Sequence, residues 1–321
     1  MNLSELSSAL EPINLRSCLI TQNDRMLFEH YRNSSIPAEI AKINSCTKSI
    51  LSALICIAMD LEIIPGPHTK VTEFFPQLLA DSDPRKREIT LEHLLTMTSG
   101  IDWTEFGGQK SFPRMTRSDD WVDFVLKQPM EGSPGTRMEY SSGVSQLLSA
   151  ILVQRSGMST ARFAEEHLFS PLGIVDYKWE ADPQGIHTGG YGLRLRPADM
   201  LSFGQLYLQQ GRWGQRHLIS STRVIRSVQP SILVSSPNSC FYGWHWWTES
   251  VSSEMNEAIA SSSSSNSFDY YYARGYAGQF IYNIPSLDIV VVLTDDKRKK
   301  DRHPSNVFRE LIAPLLLRNL K

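Results

Sequence analysis

The sequence predicts an α/β (α+β) fold: an antiparallel five-stranded sheet flanked by helices, with a helical insertion between its early and late strands. Three observations predict it. Two β-prone runs, 18–22 and 26–31, lie near the start and are separated by Asn23-Asp24, which reads as a hairpin. Three more strand-like runs, 241–248, 280–284 and 289–294, come late, the last two joined through Pro285-Ser286-Leu287-Asp288. Between these groups the pattern is helical, from the break at Pro65-Gly66-Pro67 to about residue 186. The whole chain, 1–321, is thus read as one unit, with an α/β region at 1–64 and 187–321 and a helical region at 65–186.

The first helix follows Ser45 and carries the apolar run Ile50-Leu51-Ser52-Ala53-Leu54-Ile55-Cys56-Ile57-Ala58-Met59. This run is apolar nearly all the way round, which predicts a central, buried helix. The insertion contains helical patterns at 91–98, 120–127, 144–156 and 160–168. In the third of these, Val144, Leu147, Leu148, Ile151 and Leu152 form one apolar stripe, and Gly157 is a natural stop. Pro197 and Gly211 punctuate a further helix. The closing amphipathic segment, 307–320, contains Pro314, which kinks a helix or starts it afresh. The serine tract 261–265 is too polar to pack and reads as a mobile loop.

Composition excludes several function classes. With 321 residues, 41% of them hydrophobic, the chain can bury a full core. A formal net charge of -2 and a pI near 6.5 argue against a nucleic-acid or anionic-membrane binder, whose footprint is a basic face. The cluster Lys297-Arg298-Lys299-Lys300 with Arg302 reads as a solvated loop. The first residues lack a basic and apolar leader, and no stretch approaches the roughly 18 apolar residues of a membrane span. A cytoplasmic chain is therefore expected. Cys18, Cys46, Cys56 and Cys240 have no metal-ligand spacing and read as reduced core thiols, and the eight histidines make no metal motif, so neither metal nor cofactor is expected.

The chemistry points to Ser45-Cys46-Thr47-Lys48. A serine and a lysine three residues apart at a helix start share one face, a single turn apart, which is the spacing of a nucleophile and its base. Burial lowers a lysine pKa, and a neutral amine can take a serine proton. On spacing alone, Ser45 could equally be a helix cap. His93 falls in an apolar helical pattern and is read as structural.

Three ordered segments resemble one family, the serine β-lactamase and penicillin-binding-protein superfamily. They are Ser45-Cys46-Thr47-Lys48; Pro134-Gly135-Thr136-Arg137-Met138-Glu139-Tyr140-Ser141-Ser142-Gly143; and Ala273-Arg274-Gly275-Tyr276-Ala277-Gly278. The linking stretches 91–101, 170–174 and 189–199 are also similar, and the branch resembled is the class C-like esterase and amide-hydrolase one, with proteins of the 6-aminohexanoate-dimer hydrolase type. The resemblance implies a β-lactamase-like fold with the active site between sheet and insertion. It implies Ser45 as the acylated nucleophile, Lys48 as base, Tyr140 as second acid-base group, and the backbone N–H groups of Ser45 and Tyr276 as an oxyanion hole. Ser142, Arg274 and Gly275 are the implied substrate-binding residues. Two positions depart from the pattern: Ser142 stands for an asparagine, and Ala273 for a lysine, histidine or tryptophan. Three readings follow: a hydrolase of small-molecule esters or unstrained amides, a β-lactam or D-peptide hydrolase using the same residues, and a non-catalytic ligand-binding member. The absence of a G-x-S-x-G elbow disfavours an α/β-hydrolase.

Overall fold

The computed structural model describes residues 3–105, 111–234, 240–252, 267–296 and 304–318. The serine tract 261–265 and the basic cluster 297–302 lie outside the described residues. The chain opens with helix α1 (Leu3–Leu10), the hairpin β1 (Ser17–Gln22) and β2 (Arg25–Tyr31), and a short β3 (Ala41–Lys42). Helix α2 (Cys46–Asp60) leads into the insertion, which holds α3 (Leu91–Leu95), α4 (Phe112–Met115), α5 (Trp121–Leu126), α6 (Ser142–Ser156), α7 (Thr160–Ala164) and α8 (Ser170–Leu172). Next come β4 (Lys178–Trp179), β5 (Leu193–Leu195), α9 (Pro197–Leu208), the small hairpin β6 (Arg212–Trp213) and β7 (Arg216–His217), and α10 (Ser221–Val228). The late strands are β8 (Ile232–Val234), β9 (Cys240–Tyr242), β10 (Trp247–Ser252), β11 (Ser267–Gly275), β12 (Gln279–Ile284) and β13 (Ile289–Thr294). A wide helical turn (Val307–Ile312) and α11 (Ala313–Leu317) close the chain, so the helix is started afresh beside Pro314.

The main sheet has eight strands, in the order β2-β1-β13-β12-β11-β10-β9-β8, where five were expected. Every adjacent pair is antiparallel. Part of the difference comes from 241–248, which is not one strand: it breaks at Gly243 to Trp246 into β9 and β10. His245 there adopts φ 60° and a Cβ on Gly243 would meet the Ser227 carbonyl at 2.5 Å. The rest comes from β8, three residues long, and from β11. In β11, Tyr270 and Tyr272 enter one core while Tyr271 and Ala273 enter the other, so no polar alternation marks the strand from Tyr270 to Ala273.

Both faces of the sheet are covered. On one side α2 and α9 pack with the insertion into the larger core, and every residue of α2 from Cys46 to Met59 is buried, as its all-round apolar run requires. On the other side α1 and the C-terminal helix pack against Tyr270, Tyr272, Tyr282 and Leu293. All six residues of β12 and of β13 are buried for this reason. Helix α6 runs as its stripe predicts and stops at Gly157 with φ 69°. The four cysteines are free and buried, and among the described residues no helix is long and apolar enough to cross a membrane.

The C-terminal helix is anchored by Phe308, which is fully buried and stacks on Tyr282 with centroids 3.9 Å apart. Phe308→Ala is expected to cost about 3–5 kcal/mol. Urea unfolding checks it: a loss under about 1 kcal/mol would contradict this account of how the helix is held.

Candidate active site

The N-terminus of α2 sits where three other segments converge. Asn44, with φ 49°, turns the chain into the helix, and Ser45 occupies the cap position without using its side chain as a cap. The hydroxyl is therefore left for other work, and capping does not account for the serine. Ile43 N–H donates to the Leu193 carbonyl at 3.0 Å, which ties this corner to β5. The Asn44 Nδ2 group donates to the Tyr276 carbonyl at 2.7 Å, which holds the β11–β12 turn over the helix start. Gly275 is required here: a Cβ would run into the Ile43 carbonyl and lie 3.2 Å from the Ser45 nitrogen.

One turn into α2, Lys48 is 1% exposed. A buried amine needs its hydrogen-bonding groups filled. Its Nζ donates to Ser142 Oγ at 2.9 Å, to the Gly190 carbonyl at 2.8 Å and, at a longer 3.4 Å, to Ser45 Oγ. Its fourth neighbour is the ring of Tyr140, whose centroid is 4.7 Å from Nζ. Tyr140 stands in the loop just before α6 and is stacked on Trp247 at 6.0 Å and edge-on to Tyr242 at 6.5 Å. Serine, lysine and tyrosine are thus brought together by two helix starts, those of α2 and α6.

Ser142 is the first residue of α6, held from behind by Glu105. The Glu105 carboxylate accepts the Ser142 N–H at 2.8 Å, the Ser142 hydroxyl, and the Trp103 Nε1–H at 2.8 Å. Gly143 makes room for this arrangement, because a Cβ there would meet the Trp103 ring at 2.6 Å. Gly190 is equally constrained: a Cβ would sit 2.7 Å from Ser142 Oγ and 3.0 Å from Lys48 Nζ. Glu105 and Gly190 both escape the motif reading. Gly190 had a signal in the doubled glycine at 189–190, whereas a single glutamate in a loop has none.

The third segment divides by strand alternation. Ala273 is fully buried on the α2 side, as is Gly275, whereas Arg274 is exposed on the side of Tyr270 and Tyr272, away from Ser45. The structure does not bring Arg274 to the site. Tyr276 follows β11 with its side chain 66% exposed. His93 is structural: it forms a reciprocal cap with Thr90 at the start of α3. Among the described residues no cluster of side chains could hold a metal ion.

A second histidine lies close behind the site. His245 is 1% exposed on the β9–β10 turn, with Nδ1 2.8 Å from the Leu95 carbonyl and Nε2 3.0 Å from Ser145 Oγ. A carbonyl only accepts, so Nδ1 carries the proton and Nε2 accepts from Ser145. Burial, then the charge of Lys48, push its pKa down to about 3. Ser49 and Ser52 of α2 donate to the carbonyls of His245 and Trp244 at 2.7 Å each, so this turn steadies the helix that carries Lys48.

This constellation, at the junction of a two-sided antiparallel sheet and a helical insertion, defines the class: the β-lactamase and penicillin-binding-protein type. The sequence model of the Beta-lactamase family matches residues 17–313, and the chain belongs to that family. Among solved structures, a Bacillus anthracis protein provisionally named a 6-aminohexanoate-dimer hydrolase superposes with TM-score 0.77 at 18% identity, covering 97% of this chain and 81% of that one. The class C beta lactamase from Rhodobacter sphaeroides gives 0.69 at 18%, covering 98% of each chain. In sequence, the D-alanyl-D-alanine-carboxypeptidase/endopeptidase AmpH of Escherichia coli (strain K12) is 23% identical over 190 residues, 53% of this chain and 49% of that protein. Penicillin-binding protein 4* of Bacillus subtilis (strain 168) is 27% identical over 150 residues, 44% of this chain and 32% of that one. The chain thus matches about half or less of the length of these sequence relatives.

The depressed His245 pKa has a consequence for stability. The folded protein keeps this ring neutral down to about pH 3, while the unfolded chain takes up a proton below about pH 6.5. Its contribution is therefore complete above pH 6.5 and is lost as the pH falls. Between pH 7 and pH 5 the loss from this group is about 2 kcal/mol. His93 and His187, lowered mainly by burial, act in the same direction, so the test is a comparison. Urea midpoints of His245→Asn, a residue that tolerates positive φ, are expected to depend less on pH than those of the wild type. Parallel curves would contradict it.

Proposed function

We propose that this chain is a serine hydrolase that acts through an acyl-enzyme on small-molecule esters or unstrained amides. The observation that carries the proposal is the placement of Lys48: buried, held by Ser142 and Gly190, and in reach of the Ser45 hydroxyl. Ser45 Oγ attacks the carbonyl carbon while Lys48 takes its proton. A contact of 3.4 Å is long for a catalytic hydrogen bond, and such contacts tighten once substrate is bound. Tyr140, packed against Lys48, relays a proton to the leaving group, and water then releases the acyl group by the reverse path. The N–H groups of Ser45 and Tyr276 form the oxyanion hole in this reading; the Asn44 bond to the Tyr276 carbonyl and the close fit of Gly275 beside Ser45 support it. No cofactor takes part.

Ala273 sets the substrate class. In the β-lactam-processing members that the chain resembles, a cationic or polar group at this place anchors the substrate carboxylate. Here the position is a buried methyl group, and Arg274 next to it points to the other face. A charge-assisted hydrogen bond contributes roughly 1.5–3 kcal/mol, so its absence weakens anionic β-lactams by one to two orders of magnitude. Ester cleavage does not need that anchor. Hydrolysis of β-lactams or D-peptides with the same residues is the second reading, and the similarity to AmpH favours it.

Ser45→Ala is expected to abolish hydrolysis, and Lys48→Ala and Tyr140→Phe each to lower kcat by about 10² or more. Lys48 and Tyr140 share one proton path, so the double variant should lose less than the product of the singles. Wild-type rates in any single variant would overturn the assignment of that residue. For substrate class, kcat/KM for nitrophenyl butyrate is expected to exceed that for a chromogenic cephalosporin. The reverse order would favour the second reading.

A further inference from the structure

Ser142 connects Lys48 to a carboxylate. An ionised carboxylate only accepts hydrogen bonds, and a serine hydroxyl has one hydrogen to give. Since the hydroxyl of Ser142 donates to Glu105, its oxygen meets the Lys48 Nζ, 2.9 Å away, as an acceptor. The direction of the chain is fixed: Lys48 donates to Ser142, and Ser142 donates to Glu105. Glu105 is itself held in place by the Ser142 N–H and the Trp103 indole.

We propose that Glu105 is a positioning residue for the base: acting through Ser142, it keeps that hydroxyl turned as an acceptor toward Lys48 and balances the charge Lys48 acquires on receiving the Ser45 proton. This rests on Lys48 being the base, as proposed above. It also explains how a serine serves where the family pattern has asparagine. An asparagine amide presents a fixed acceptor by itself, whereas a serine hydroxyl needs a second group to aim its proton.

The other groups around this path do not supply that charge. Lys48 faces the Tyr140 ring and lies in electrostatic reach of Cys46 on α2 and His245 on the β9–β10 turn. Burial raises the Cys46 thiol, and His245 stays neutral above about pH 3, mainly through burial. Glu105 acts on Tyr191 and Tyr242, whose hydroxyls are raised mainly by their own burial. Of these groups Glu105 is the carboxylate. A negative charge two hydrogen bonds from an amine favours its protonated form.

The test titrates Lys48 directly, by the 13Cε signal of labelled lysine assigned with Lys48→Arg, and follows the pH profile of kcat/KM for nitrophenyl butyrate. Glu105→Gln is expected to move the Lys48 titration and the acid limb of the profile to lower pH by about one unit or more. Glu105→Asp, which keeps the charge, is expected to move both by less than half as much. Ser142→Ala, which leaves Glu105 in place and breaks the path, should shift both in the same direction as Glu105→Gln. An unmoved titration in Glu105→Gln, or equal shifts in the Gln and Asp variants, overturns the proposal; an unmoved titration in Ser142→Ala does so even if Glu105→Gln fails to fold. The lysine titration needs no turnover. If Ser45→Ala retained activity, the proposed function would fall while the titration still decided the role of Glu105. A Ser45-dependent esterase with an unmoved titration in Glu105→Gln would be the opposite case.

Discussion

The site depends on one constraint, the burial of an amine at the start of the central helix. Removing an amine from water is costly unless its hydrogen-bonding groups are satisfied. Lys48 meets that demand with the Ser142 hydroxyl, the Gly190 carbonyl and the Ser45 hydroxyl, with the face of Tyr140 beside them. Each partner comes from a different part of the chain, so the lysine draws α2, the start of α6 and the loop before β5 to one point. The glycines at 143, 190 and 275 are the steric counterpart of this convergence, since a methyl group at any of them would collide with a member of the site or with its support.

The fold supplies rigidity around that point. Because helices cover the sheet on both sides, its central strands β12 and β13 are buried throughout, and α2 is buried from Cys46 to Met59. Two serines of α2 bind the β9–β10 turn, and Asn44 binds the β11–β12 turn. The helix carrying the serine and lysine is therefore fixed at its start and along its side by strands that are far away in sequence. That is the geometry a nucleophile and its base require, because small displacements between them are costly to rate.

How much of this was legible in the sequence follows from physics. The buried helix after Ser45, the stripe of α6 with its Gly157 stop, and the early hairpin are local patterns, and each appears as read. The sheet was undercounted because β11 sends neighbouring tyrosines into two different cores, and because a left-handed turn at His245 splits what reads as one strand. At the site, Ser45, Lys48 and Tyr140 are brought together at spacings that motif reading anticipated, while Arg274 lies on the far face, which strand alternation decides only once the register is known. Glu105 was invisible because its importance comes from a contact with Ser142, 37 positions later in the chain.

The central claim is that Ser45 becomes covalently acylated with Lys48 as its base. Rapid mixing with a nitrophenyl ester, followed by intact-mass measurement and peptide mapping, tests it most directly. The account predicts a burst of nitrophenol and a single acyl adduct on Ser45 that fails to form in Lys48→Ala. Turnover with the adduct on another residue, or an adduct on Ser45 that forms at the wild-type rate without Lys48, would contradict it.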